Sequence, residues 1–488
     1  MKLADCGRKG EFVMSEIAMA KESRLQKIWN GIRSFFAGLF RHITEIGTIF
    51  KEGDWKTRLS FVVMGFGSAT HGQIVKGLIY LAAEVGFILF QIFFGWQYLQ
   101  DIGTLGTNAQ ERVWDEAAQI FRRVPGDNSM LILLFSVVTL ATIIPFIVVW
   151  KTNLKSSLYA QKQIEKSVKP NNIIQDLKTL LDKRFHITML SLPMLSLALF
   201  TVLPIIFMVL LAFTNFDQNH QPPGSLFTWV GMTNVTDVFW GDPVKSRTFF
   251  GILSWTMVWA VLATFTNFIF GTILAMMINK KGIKLKKMWR TIFVITIAIP
   301  QFVSLMLVSR MLTDTGVVNV LLQKLGLVSS PVPFLTDPTY ARIVVVIINM
   351  WVGIPYTMLA VTGILMNIPA DLYESASIDG AGPVKQFTSI TIPYMLFVMA
   401  PNLINTFVGN INNFNVIYLL TTGGPLTLDY YQAGKTDLLV TWLYKLTVDR
   451  QDYSLASTIG IFIFIIVSTF SLIVYNMTGS VKREEDFQ

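Results

Sequence analysis

Charge is scarce in this 488-residue sequence: Asp, Glu, Lys and Arg together make up 15% of it, against about 25% in ordinary soluble domains. By length alone the chain would hold about three soluble domains, but so little charge argues against giving each a solvated surface. Cysteine is nearly absent. Cys6, the single one, cannot close an internal disulfide, so no disulfide framework is expected. Histidine is equally thin: His42, His71, His186 and His220 are scattered without metal-ligand spacing, and no Ser/His/Asp, Cys/His or paired-carboxylate arrangement occurs. No G-x-x-x-x-G-K-[ST] phosphate loop is present, so the chain is expected neither to bind ATP productively by itself nor to act as an enzyme. Its first 73 residues lack a short apolar core followed by a small-residue cleavage site, so the first membrane span is expected to stay as an anchor.

Apolar residues fill the space that charge leaves. They make up 52% of the chain, with a mean hydropathy of +0.52. Lipid offers the backbone no hydrogen-bond partners, so long apolar runs must be helices of about 20 residues each. Eight runs meet that length: Ile74 to Leu99, Met130 to Trp150, Ile187 to Phe213, Phe249 to Asn279, Ile292 to Leu312, Ile343 to Met366, Tyr394 to Leu420 and Leu455 to Tyr475. The predicted fold is therefore an all-α polytopic membrane protein. With the N-terminus and C-terminus inside, 28 of the 40 Lys and Arg residues fall on the inner side and ten outside, the bias that orients cytoplasmic-membrane proteins. The net charge of +9 is thus topogenic, and no nucleic-acid partner is expected. Lys76 and Arg310 lie near span ends, where long side chains snorkel to the interface.

The chain divides on this reading into an inner N-terminal segment (1–73), a transmembrane hairpin (74–150), a basic inner linker (151–186), a membrane-embedded core (187–475) and an inner tail (476–488). Within Leu25 to Lys51, Phe35, Phe36, Leu39, Phe40, Ile43 and Ile46 recur at amphipathic spacing, which suits either a helix on the inner membrane surface or a core-packing helix. The linker reads as an amphipathic, helix-rich segment that touches anionic lipid. Glu84, within the first span, fits either a coupling-ion site or a hydrogen-bonded structural acid.

One inner loop breaks the charge pattern. Residues 367–393 carry a single basic residue, Lys385, although their side of the membrane favours several. Pro369 starts a helix there, Glu374 to Ile378 form its short body, and Gly380, Gly382 and Pro383 end it. With Leu372, Tyr373, Ala376 and Phe387 as apolar anchors and Glu374 and Asp379 as charges, it suits insertion into a partner's groove. The run Glu374-Ser375-Ala376, Gly380, then Ile390-Thr391-Ile392-Pro393 resembles the EAA signature of the membrane subunits of ABC importers. Ser375 stands for the second Ala and Ile392 for Leu; the spacing matches throughout. The resemblance implies a coupling helix docked on an ATPase subunit, with Glu374, Ser375, Ala376, Asp379 and Gly380 at the contact.

Asn410 to Pro425 and Trp351 to Tyr356 resemble the larger, MalF-type permease of maltose importers, over roughly Ile187 to Tyr475. Only Thr214 to Thr248 stands where that type, in its best-known form, carries a large outer insertion, so docking of the binding protein is expected to differ. Helical geometry alone places Asn402, Asn405, Thr406, Gly409, Asn410 and Asn413 on one stripe of the seventh span, as helix-to-helix glue or as a solute path. Asn349, Gly353 and Tyr356 share a face of the sixth, beside Pro355. Neutral amides, hydroxyls and an aromatic suit an uncharged polyhydroxylated solute. The resemblance implies that Gly353, Tyr356, Thr406, Asn410 and Asn413 contact an oligosaccharide, while Gly409 stands where that type has an aromatic. It further implies a second homologous permease, a pair of ATP-binding subunits that hold ATP and Mg, and an extracellular solute-binding protein. The competing expectation is an ion-coupled secondary sugar carrier, in which Glu84 would matter and the loop at Glu374 would not.

Overall fold

The computed structural model describes residues 44–280 and 282–477, with scattered positions between 29 and 41. Cys6, Phe35, Phe36, Leu39, His42 and Ile43 lie outside the described residues, as does the tail from 478 onward. Among the described residues, seven helices are long and apolar enough to cross a membrane: Ile74–Asp101, Ser129–Glu165, Phe185–Leu211, Pro243–Asn279, Pro338–Asn367, Pro383–Thr421 and Tyr453–Tyr475. A bent pair, Lys286–Ala298 and Gln301–Met311, whose halves meet at 86°, makes an eighth crossing if it counts as one span. The straight fifth span expected from hydropathy is thus corrected to a broken one. The break has a local cause: Pro300 has no N–H to donate and pushes Ile299 into extended backbone, φ −82° and ψ 126°.

The chain folds as two units. In the first, formed by the described residues up to 103 and by 130–206, the segment before the first span is a turn-rich cap built on the polar face of the second span. Asn153 accepts from the Gly65 N–H (2.8 Å) and donates to the Ser60 carbonyl (3.1 Å), the Trp150 indole donates to the Phe61 carbonyl, and Gln161 accepts from Asp54 N and the Thr57 hydroxyl. Gly65 sits at φ +84° against the Gly77 backbone, where any side chain would collide. Lys151 and Lys155 both pair with Glu45, and hydrogen bonding to Lys155, ahead of the other contacts, holds that carboxyl down at about 2. The linker helix Ile173–Leu181 is opened by an Asn172/Gln175 capping box. Lys76 does not snorkel freely as expected: it is nearly buried in an ion pair with Asp176 of that helix.

The second unit, 104–129 and 207 onward, is packed around the 37-residue fourth span. Trp255, Trp259 and Ala263 of that span meet Leu305, Val345, Val416, Ile417 and Leu420 in one buried cluster. Small residues let helices close on one another, as membrane interfaces require: Gly271 lies against Thr357, and Gly353 against Asn267. A hairpin of Glu111–Asp115 and Ile120–Val124, not foreseen within an all-α fold, stands in the first outer loop with Trp114 and Phe121 in ring contact across it.

Candidate functional site

The 86° bend opens a cavity of about 410 Å³ in the second unit. Its wall comes from Thr296 and Gln301 at the break, Ser304 one turn on, and Trp351 and Tyr356 of the sixth span. No lining side chain carries a charge. Gln301 reaches further and accepts from the Asn415 amide of the seventh span at 3.3 Å. Tyr356, 56% exposed, presents its ring and hydroxyl to this space. Amide, hydroxyl and two aromatic faces offer donors, acceptors and stacking surfaces without net charge.

The other expected solute residues are placed differently. Asn410 is buried; its side-chain amide donates to the Thr264 hydroxyl at 3.0 Å, and its backbone carbonyl accepts the Trp259 indole N–H at 3.0 Å. Asn413 caps the helix Phe414–Thr421 by accepting from Val416 N, while its amide lies 3.5 Å from Asn410 Oδ1. Gly353 is pressed onto the Asn267 side chain, and Asn349 is buried with its Nδ2 unpartnered. Thr406 is half-buried, its hydroxyl donating to the Asn402 carbonyl; Asn402, Asn405 and Gly409 are exposed. Of the five solute residues named from sequence, the structure therefore brings Tyr356 to the cavity and sets Gly353, Asn410 and Asn413 in helix contacts. Gln301, Ser304, Trp351 and Asn415 were missed, although the Ile299-Pro300 pair inside an apolar run is a sequence signal for a break where polar groups gather.

The inner loop folds as one helix, Ala370–Ile378, with Pro369 at its N-cap, a turn longer than the expected body. Gly380 ends it at φ +78°, and the Ala381 N–H returns to the Ala376 carbonyl. Glu374, Ser375 and Asp379 are exposed and Ala376 is half-buried. Tyr373 is not a free anchor as expected: its hydroxyl meets the Thr391 hydroxyl at 2.8 Å and ties the helix to the seventh span. Gln386 adds bonds to the Ser377 hydroxyl and the Ala381 carbonyl. The exposed apolar residues are instead Leu372, Ile378 and Val384, the last two 86% and 76% accessible.

Glu84, the alternative ion site, is occupied structurally: its carboxylate accepts the Met64 N–H at 2.7 Å. On the outer side, Asp437 is fully buried and ties a loop together, accepting from Gly434 N (2.7 Å), the Thr441 hydroxyl (2.8 Å) and Lys445 Nζ (2.6 Å). Burial pushes its carboxyl above the usual range, and Lys445 pulls it back.

Residues 267–483 match the family model described as a binding-protein-dependent transport system inner membrane component. The chain is 33% identical over 432 residues to the galactooligosaccharides transport system permease protein GanP of Bacillus subtilis, covering 87% of this chain and 97% of that one. It is 31% identical over 447 residues to the maltodextrin transport system permease protein MalC of Streptococcus pneumoniae, covering 89% and 98%. Among solved structures, a chain of a bacterial ABC transporter involved in import of the acidic polysaccharide alginate superposes with a TM-score of 0.50 at 25% identity, over 62% of this chain and 98% of that one. The chain thus belongs to the binding-protein-dependent inner membrane component family, as a multi-pass permease subunit of an ABC importer in the cytoplasmic membrane.

Proposed function

We propose that this permease passes a neutral oligosaccharide, with a maltodextrin as the first candidate. The uncharged cavity at the bend, lined by Gln301, Ser304, Trp351 and Tyr356, carries this reading. An acidic saccharide such as alginate would favour a cation in that wall, and the wall has none. The names of the similar permeases, for maltodextrins and galactooligosaccharides, support the same solute class. Tyr356 stacks on the sugar, whereas Gly353, Asn410 and Asn413 hold the helices that shape the space and Thr406 bonds within its own helix.

The chain works with a second, similar permease, two ATP-binding subunits that hold ATP and Mg, and an external solute-binding protein. Glu374, Ser375, Ala376, Asp379 and Gly380 form the contact with the ATPase, where exposed Leu372 and Ile378 fill a groove. The Tyr373 to Thr391 and Gln386 to Ser377 bonds make the helix and the start of the seventh span one lever. ATPase closure then moves that span and turns the cavity outward.

The test is uptake of labelled maltodextrin into vesicles that hold the reconstituted complex, with ATP or with an imposed ion gradient. Uptake that needs ATP, is lost in Glu374→Lys with the complex intact, and shows a KM raised about tenfold or more in Tyr356→Ala is expected. Gradient-driven uptake indifferent to Glu374→Lys would overturn the proposal.

A further inference from the structure

The helix Phe414–Thr421 joins the bend cavity to a second one. Asn415 and Tyr418, three residues apart, share one face of it, and Thr422 follows as its C-cap at φ +51°. Asn415 meets Gln301 of the bend cavity at one end. At the other, Tyr418 and Thr422 line a separate cavity of about 470 Å³ together with Leu426, Gln432, Lys445, Asp449 and Arg450. That volume lies in the ~300–1,000 Å³ range of small-molecule sites. From Asn415 to Thr421 the helix rises ~9 Å, longer than a single sugar ring.

Two features make this outer cavity a built site. Its aromatic wall is fixed: the Tyr418 ring stacks on Phe414 at 4.7 Å and meets Tyr444 edge-on at 5.0 Å. The loop that carries Leu426 and Gln432 is stapled shut. Besides the Asp437 contacts, Thr436 meets the Thr421 hydroxyl at 2.8 Å and donates to the Gly424 carbonyl at 2.6 Å, and Lys435 N bonds the Pro425 carbonyl. Gly423, at φ +78°, lies so close to the Asp437 carboxylate that no side chain fits there. Asp449 and Arg450 are exposed at the rim. Lys445 is neutralised by its pairing with Asp437 and Arg450 stands next to Asp449, so the amide, carboxylate and cations around the aromatic face offer donors and acceptors without a net positive charge, as the paired hydroxyls of a neutral saccharide require.

We propose that this outer cavity is a second saccharide subsite, which engages the trailing units of an oligosaccharide whose leading unit lies against Tyr356. The inference rests on the oligosaccharide reading above and adds a length preference to it. A disaccharide fills the bend cavity alone; a longer chain follows the Asn415 and Tyr418 face outward to Thr422.

The experiment compares maltose with maltoheptaose as substrates of the complete reconstituted importer, in wild type and in Arg450→Ala/Gln432→Ala, together with the affinity of the binding protein for the complex. Both altered side chains lie at the cavity rather than in the Asp437 staple, so the loop is expected to fold. The expected result is a KM for maltoheptaose raised about tenfold, with that for maltose within about twofold and binding-protein affinity unchanged. Equal effects on both sugars, no effect on either, or weakened binding-protein affinity would each overturn the subsite. If wild type imports neither sugar, the oligosaccharide reading fails and the subsite falls with it; if it imports both and the variant keeps the wild-type ratio, only the subsite fails.

Discussion

Gly353 separates solute contact from helix packing. A Cβ at this position would collide with the Asn267 side-chain amide, because the fourth and sixth spans close there on a residue with no side chain. In Gly353→Ala, one methyl forced into such a contact costs about 1–3 kcal/mol, or up to about a hundredfold in the equilibrium between packed and loosened states. Asn267 Oδ1 is itself buried without a partner, so Asn267→Ala forfeits no bond at that atom and opens room for the new methyl. The double variant is expected to regain at least ~1 kcal/mol of the loss, the signature of direct contact. The assay is thermal inactivation of the purified complex, followed alongside the KM of saccharide-stimulated ATP hydrolysis. Packing predicts lower stability in Gly353→Ala, rescue by Asn267→Ala and a KM that follows stability. A Gly353→Ala protein of unchanged stability with a raised KM that Asn267→Ala does not rescue would refute the reasoning and return Gly353 to the solute.

In Lys445→Met the buried Asp437 carboxylate keeps its backbone and hydroxyl donors but loses its cation, at an expected cost of ~3–5 kcal/mol; limited proteolysis of the outer loop should show it opening, and Lys445→Met/Asp437→Asn should close it again. Glu84→Gln leaves an oxygen to accept from Met64 N, so ATP-driven uptake should persist and stability should fall by no more than ~1.5 kcal/mol; uptake that collapses in this variant but responds to an ion gradient in wild type would show that the carboxylate does more than hold a turn.

Seven of the spans and the inner helix were legible in the sequence because each rests on local chemistry. Apolar runs must be helical in lipid whatever they pack against, and Pro369 and Gly380 bound a helix wherever they occur. Tertiary structure alone decided which polar groups face a cavity. Helical periodicity puts Asn402, Thr406, Asn410 and Asn413 on one arc, yet a stripe in a membrane helix serves solute or neighbour equally well. The Thr264 hydroxyl, 146 positions away in the chain, claimed the Asn410 side chain for the neighbour. Tyr356 reached open space because Pro300 folded the facing span aside and brought Gln301 and Ser304 to its side. A membrane-embedded chain with an exposed inner helix was legible in the sequence; which polar groups line the cavity was decided by where the fifth and sixth spans meet, since contacts between distant helices leave no periodic trace in any one of them.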